Sequence, residues 1–261
     1  MKFKKYLFIG TLIIFSIVAF SLGREYSLIK RASLEAISQD DNYKDFIIEE
    51  ADTLTEEQKR IKNIILEDTK GLFLLVNEEN PIDKMYGPES LVVPNITLVG
   101  KSEEPRNKVN SIIKEDLERM FSDSEKDGME MYLSCAHRSY EEQEYLYNRA
   151  LERENSDSSE LVALPGRSEH QLGLAVDITT SSIDFQLEEA FEDTKEGKWL
   201  LENAHKYGFI LRYLKGKEDI TGYTYEPWHY RYIGNVEIST YCHKNNLTLE
   251  ELYEELGINT K

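Results

Sequence analysis

Ser168-Glu169-His170-Gln171-Leu172-Gly173-Leu174-Ala175-Val176-Asp177 is the stretch on which the fold turns. Gly173 interrupts any helix between His170 and Asp177. Beyond it Leu174, Val176 and Ile178 alternate with Ala175, Asp177 and Thr179. A period of two is the pattern of a strand with two unlike faces. Asp177 then shares a face with the small Ala175, while His170 returns from the turn before the strand. An imidazole and a carboxylate aimed at one point make a mixed nitrogen and oxygen set that suits Zn²⁺. Taken alone, a histidine on a turn serves packing or the surface more often than a metal.

A second cluster bears on that choice. In Tyr225-Glu226-Pro227-Trp228-His229-Tyr230, Pro227 biases Glu226 toward an extended backbone, so this is not a helical metal motif. One reading is aromatic packing around a salt-bridged Glu226. The other makes His229 a third protein ligand and leaves Glu226 as a carboxylate that need not bind the metal. Three protein ligands, an open position and a nearby base describe a catalytic zinc site, whereas structural sites close all four positions.

Around these motifs the chain reads as short alternating elements. Thr53-Leu54-Thr55-Glu56 is a capping box, and Ile61, Ile64 and Ile65 continue it as a helix over 54–69. Leu72 to Val76 reads as a strand running into turns at Asn77, Asn80 and Pro81. Val109, Ile112, Ile113, Leu117, Met120 and Phe121 form one apolar helical face. Strands are predicted at 129–135, 173–178 and 209–213, and helices at 139–152 and 194–207. Thr248 with Glu251 caps a last helix that stops at Gly257. The absence of a βαβ rhythm predicts an α+β fold with a small, largely antiparallel sheet and flanking helices.

The N-terminus is of another kind. Lys2, Lys4 and Lys5 precede Tyr6 to Gly23, an uncharged run that reaches about 27 Å as a helix, close to the thickness of a bilayer core. It reads as an uncleaved transmembrane anchor at 6–23, with residues 1–5 as a cytoplasmic basic flank and Arg24 onward outside the cell. Cleavage as a signal peptide after Gly23 is the alternative. Residues 24–70 then form a tether containing the first helix, and 71–261 the catalytic domain. Cys135 and Cys242 suit one disulfide in an oxidising space, or two buried thiols.

The 261 residues carry a formal charge of −18, with 40% hydrophobic and 31% charged side chains. Residues 1–40 hold 6 Lys and Arg against 3 Asp and Glu, so the remainder is strongly acidic. Such a body repels phosphate backbones, which argues against a nucleic-acid partner. A small or zwitterionic substrate is not excluded.

Ser-x-His-x-x-Gly-x-Ala-x-Asp at 168–177 and Glu-Pro-Trp-His at 226–229 resemble the VanY-type D-Ala-D-Ala carboxypeptidases of the LAS group of zinc peptidoglycan peptidases. Leu74-Leu75-Val76-Asn77, Arg138-Ser139, Pro165-Gly166, Tyr207-Gly208-Phe209 and Gly216-Lys217 follow the same family in order, from about Leu72 to Gly234. The resemblance implies the LAS and hedgehog-like zinc peptidase fold. It implies one Zn²⁺ on His170, Asp177 and His229, with Glu226 as catalytic base and Arg138 on the substrate carbonyl or oxyanion. Gln143 and Ser168 resemble the groups that recognise the terminal carboxylate. His137 stands where the family often has tyrosine, which leaves neighbouring substrate contacts open; His205 and His243 read as surface residues.

The implied substrate is the peptidoglycan stem peptide, cut at its C-terminal D-Ala by an enzyme of the bacterial cell membrane. An L,D-carboxypeptidase or an endopeptidase would use the same chemistry. A zinc-bearing wall-binding module that has lost hydrolysis is a different class, against which Glu226 argues.

Overall fold

The alternation from Leu174 to Thr179 does make a strand, and its two faces divide the molecule. A computed structural model of the chain describes residues 54–102, 104–155 and 162–259. The expected transmembrane segment at 6–23 and the part of the tether at 24–53 lie outside these residues. Among the described residues no helix is long and apolar enough to cross a membrane.

In chain order the elements are α1 (Glu56–Leu66), β1 (Leu91–Val92), β2 (Val109–Asn110), α2 (Lys114–Lys126), β3 (Tyr132–Cys135), α3 (Tyr140–Glu154), β4 (Ala175–Thr179), α4 (Lys195–Asn203), β5 (Phe209–Leu211), α5 (Glu218–Thr221), β6 (His229–Tyr232), α6 (Val236–Asn245) and α7 (Leu249–Glu255). Strands β1 and β2 form a small ribbon, and the main sheet runs β3-β4-β6-β5. All of its pairings are antiparallel. This is the α+β arrangement expected from the sequence.

One face of the main sheet is apolar. Leu133, Val176, Ile178, Tyr230 and Tyr232 pack there with Leu117, Met120 and Phe121 of α2 and Trp199 and Leu200 of α4. The helical residues recur at spacings of three and four, and burying each large side chain is worth about 1.5–3 kcal/mol. A second cluster joins Ile61 and Ile65 of α1 to Ile210, Ile238, Leu252 and Tyr253. One compact unit runs over Gln58–Lys261 and takes in most of α1.

Local chemistry explains the other departures. The run Leu72 to Val76 is not a strand. Its side chains alternate between the two clusters, with Leu74 and Val76 on one and Phe73 and Leu75 on the other. The carbonyls of Leu72 and Leu74 accept from Arg231 Nη2, each at 2.9 Å, instead of from a neighbouring strand. The helix expected from Val109 starts only at Lys114. Asn110 donates its backbone N–H to the Gly173 carbonyl at 2.9 Å, and its side chain caps a 3-10 turn at Ser111–Ile113. The capping boxes at Ser139 and Thr248 form, and they open α3 and α7. Both cysteines are buried free thiols.

Candidate active site

Strand register places the polar groups. Cys135 of β3 pairs with Asp177 of β4, and Asp177 pairs with His229 of β6, so the three lie in one row across neighbouring strands. A register irregularity between Leu133 and Cys135 ends the β3 pairing at this row. Arg231 stands two residues beyond His229 on the same face, opposite Ala175, whose methyl leaves room for a guanidinium. His170 arrives from a 3-10 turn at Glu169–Leu172, which Gly173 closes at φ 65°. A Cβ there would lie 3.0 Å from the Asn110 backbone nitrogen, so a larger residue would push β2 away.

The structure brings His170, Asp177 and His229 together, and all three are buried. His170 Nε2 is 3.2 Å from Asp177 Oδ2, and His229 Nδ1 is 3.1 Å from Asp177 Oδ1. Glu226, half-buried, brings Oε2 to 3.4 Å from His229 Nδ1. The Nδ1 of His170 lies 2.5 Å from the Ala136 carbonyl, so that nitrogen donates and Nε2, on the Asp177 side, keeps the lone pair with which the ring can bind a cation.

The donor set of this cluster suits a cation. Burial pushes the His229 ring down, but Asp177 and Glu169 outweigh it and raise the ring to about 9. Burial likewise opposes ionisation of Asp177, yet the two imidazoles hold its carboxyl well below the usual range. Asp177 Oδ1 is buried without a hydrogen-bond partner among the described residues. Two imidazoles and a carboxylate with an orphaned oxygen fit Zn²⁺, which takes nitrogen and oxygen donors in this number at catalytic sites.

These groups line a cleft of about 730 Å³ together with Arg138, Ser168, Tyr213 and Trp228. Arg138 Nη1 donates to Gln143 Oε1 at 2.8 Å, and Nη2 lies 3.4 Å from Cys135 Sγ. Ser168 lines the cleft, and its hydroxyl does not cap the turn that follows it. Gln143 is buried, and its Nε2 donates to the Ala163 carbonyl at 2.6 Å. Its amide therefore links Arg138 to the backbone of Ala163, both of which line the cleft.

Residues 106–235 match the VanY family, described as D-alanyl-D-alanine carboxypeptidase. The Bacillus subtilis protein YodJ is 38% identical over 73% of this chain and 70% of its own length. The chain belongs to the VanY family. Its fold overlays on the VanY D,D-pentapeptidase from a VanB-type resistance cassette, solved with Zn(II), at a TM-score of 0.56 and 32% identity, covering 69% of this chain and 97% of that one. The LdcB LD-carboxypeptidase, whose structure addresses peptidoglycan recognition, gives a TM-score of 0.68 and 39% identity, covering 72% of this chain and 88% of that one.

Within this VanY-family site two neighbours went unread in the sequence. Cys135 offers a sulfur within 4.8 Å of the ligand atoms of His170 and Asp177. Only strand register brings it there, and no linear spacing announces it. Glu169 stands at a position the motif leaves unspecified, yet it is fully buried beside His229. Its one signal in the sequence is a carboxylate beside a candidate ligand. His137, by contrast, is half-buried, and burial lowers its ring below the ordinary value.

Proposed function

We propose that this chain is a zinc carboxypeptidase that removes the C-terminal D-Ala from peptidoglycan stem peptides. The observation that carries it is the convergence of His170, Asp177 and His229 at the cleft, with Glu226 3.4 Å from His229. Zinc, when bound, supplies a Lewis acid and a water that ionises near neutral pH.

The chain's own residues handle the proton and the charge. Burial, reinforced by Asp177 and Glu169 against His229 and Arg138, pushes the Glu226 carboxyl up to about 7. A carboxylate so poised takes a proton from a nucleophilic water and returns it to the leaving amine. Gln143 and Cys135 hold the Arg138 guanidinium in place on the cleft wall. From there it pairs with the scissile carbonyl as negative charge develops, or with the free carboxylate of the substrate. Ser168 adds a hydroxyl on the same side.

Similarity to LdcB favours a second reading, in which the same site trims a tetrapeptide as an L,D-carboxypeptidase. Mass spectrometry of defined stem pentapeptides and tetrapeptides after incubation with the zinc-loaded chain separates the two. Loss of one alanine from the pentapeptide alone is the expected result. Loss from the tetrapeptide alone would replace the first reading by the second, and no cleavage of either would overturn both.

The uncharged run from Tyr6 to Gly23 supports a chain anchored in the bacterial membrane with this site outside, where peptidoglycan lies. Fractionation should recover the full-mass chain with membranes. A shortened, released species would establish signal cleavage instead.

A further inference from the structure

We infer that Glu169 is a positioning residue: its buried carboxylate is the hydrogen-bond acceptor for the Nε2–H of His229 and thereby leaves Nδ1 as the metal-ligating nitrogen. The inference rests on the zinc reading above and concerns how the protein holds one ligand.

Glu169 carries two unequally loaded oxygens. Oε1 accepts from Arg212 Nε at 2.8 Å and from Arg231 Nη1 at 2.7 Å. Oε2 is buried and has no hydrogen-bond partner among the described residues, and the same is true of His229 Nε2. The two orphaned atoms face each other at 3.6 Å. A neutral imidazole carries one proton, and the nitrogen that lacks it is the donor to a metal. Because Nδ1 of His229 faces Asp177 and Glu226, the proton belongs on Nε2, where Glu169 Oε2 is the acceptor at hand. Closing the remaining few tenths of an ångström satisfies both buried atoms at once.

The pairing is held from two sides. Arg231 lies on the same strand face as His229, and Arg212 donates its backbone N–H to the His229 carbonyl at 3.2 Å. Arg212 also grips Glu250 of α7 through two hydrogen bonds of 2.8 and 2.6 Å. The C-terminal helix is thus tied through Arg212 and Glu169 to a ligand of the site. His170 is fixed in the opposite tautomer by a neutral carbonyl, so the two imidazoles have supports of different strength. An ionised partner raises ligand basicity more than a carbonyl does.

The test uses the full chain, its Glu169→Gln variant and its Glu250→Gln variant, each loaded with zinc in competition with a chelator of known affinity. Loss of an outer-shell partner of this kind weakens metal binding about 10- to 100-fold, and that is the expectation for Glu169→Gln. Glu250→Gln breaks the same ionic network at its far end. It should lower the melting temperature while leaving zinc affinity within about twofold of wild type, by the same reasoning. Zinc affinity unchanged in a folded Glu169→Gln variant, or lowered equally by both variants, would overturn the inference. Nitrogen-15 spectra of the zinc-loaded wild type report the tautomer even if Glu169→Gln does not fold. A proton on His229 Nε2 is expected, and one on Nδ1 would overturn the assignment. A wild-type chain that binds no zinc at all would instead remove the reading on which the inference stands.

Discussion

Glu226 Oε2 lies 3.4 Å from His229 Nδ1, and one short segment sets both. The Glu226 backbone N–H donates to the Tyr213 carbonyl at 3.3 Å, and the His229 N–H donates back to the Glu226 carbonyl at 3.1 Å. Pro227 keeps this turn from becoming a helix, so base and ligand meet at the site without lying on a shared helical face.

Removal of the base should therefore separate chemistry from metal binding. Glu226→Gln keeps the shape of the side chain and should lower kcat by about a hundredfold or more, because loss of a general base commonly costs that much. Zinc content, measured on the same preparation, should stay at one per chain. A variant that loses its metal would make Glu226 a ligand. His229→Ala should have the opposite signature, losing zinc together with activity.

Arg138 and Gln143 should differ in degree. Arg138→Ala removes the cation from the cleft wall and should lower kcat/KM by about a hundredfold or more, a loss of the size found for single oxyanion donors. Gln143→Ala leaves the guanidinium in place but unties it from its 2.8 Å partner, so a smaller loss is expected. The wild type should cut a peptide acid and fail on the matching amide, since a site built around a charged group rejects an analogue lacking it. Equal cleavage of acid and amide would point to an endopeptidase.

The two thiols should be unreactive in the native protein. Burial raises both, and Cys242 is pushed up to about 12 with Glu255 adding to the effect. A thiol held protonated is a poor nucleophile. Alkylation followed by mass measurement should find neither cysteine modified before unfolding and both modified after it. A native mass lower by two hydrogens would indicate a disulfide and overturn the free-thiol structure.

The motifs that carry chemistry were legible because their spacing survives without context. His170, Gly173 and Asp177 specify a turn, a glycine that ends it and a strand. Ser139 and Thr248 specify helix starts through local hydrogen bonds that need no distant partner. Strand β6 was not legible. All four of its residues are buried, Arg231 included, so it lacks the alternation that marks a half-exposed strand. Arg231 is tolerated there only because Glu169 and the carbonyls of Leu72 and Leu74 neutralise and satisfy it. That partnership crosses 62 residues in one case and 159 in another, and no local pattern records it. Helix α6 is poorly legible for a simpler reason, since Val236, Ile238 and Thr240 are β-branched and favour strands in isolation.

His205 and His243, which read as surface residues, should mark the molecule's response to acid. Their rings stack in parallel, with centroids 4.1 Å apart and planes 7° from each other. Burial first, then the charge of His243, Lys206 and Lys244, lowers the His205 ring to about 4 from its ordinary 6.5. Burial and Lys206 lower His243 as well. Unfolding removes the burial and separates the two rings, so between pH 6.5 and 4 the unfolded state binds more protons at His205 than the folded state does. Stability from this source is fully present above pH 6.5 and is lost as the pH falls toward 4. His205→Gln removes the titrating group, so its urea midpoint should fall less steeply than wild type across that window. His243→Ala removes the second cause but not the first, and should give an intermediate slope. A wild-type slope in His205→Gln would show that the stacked pair contributes nothing to acid sensitivity.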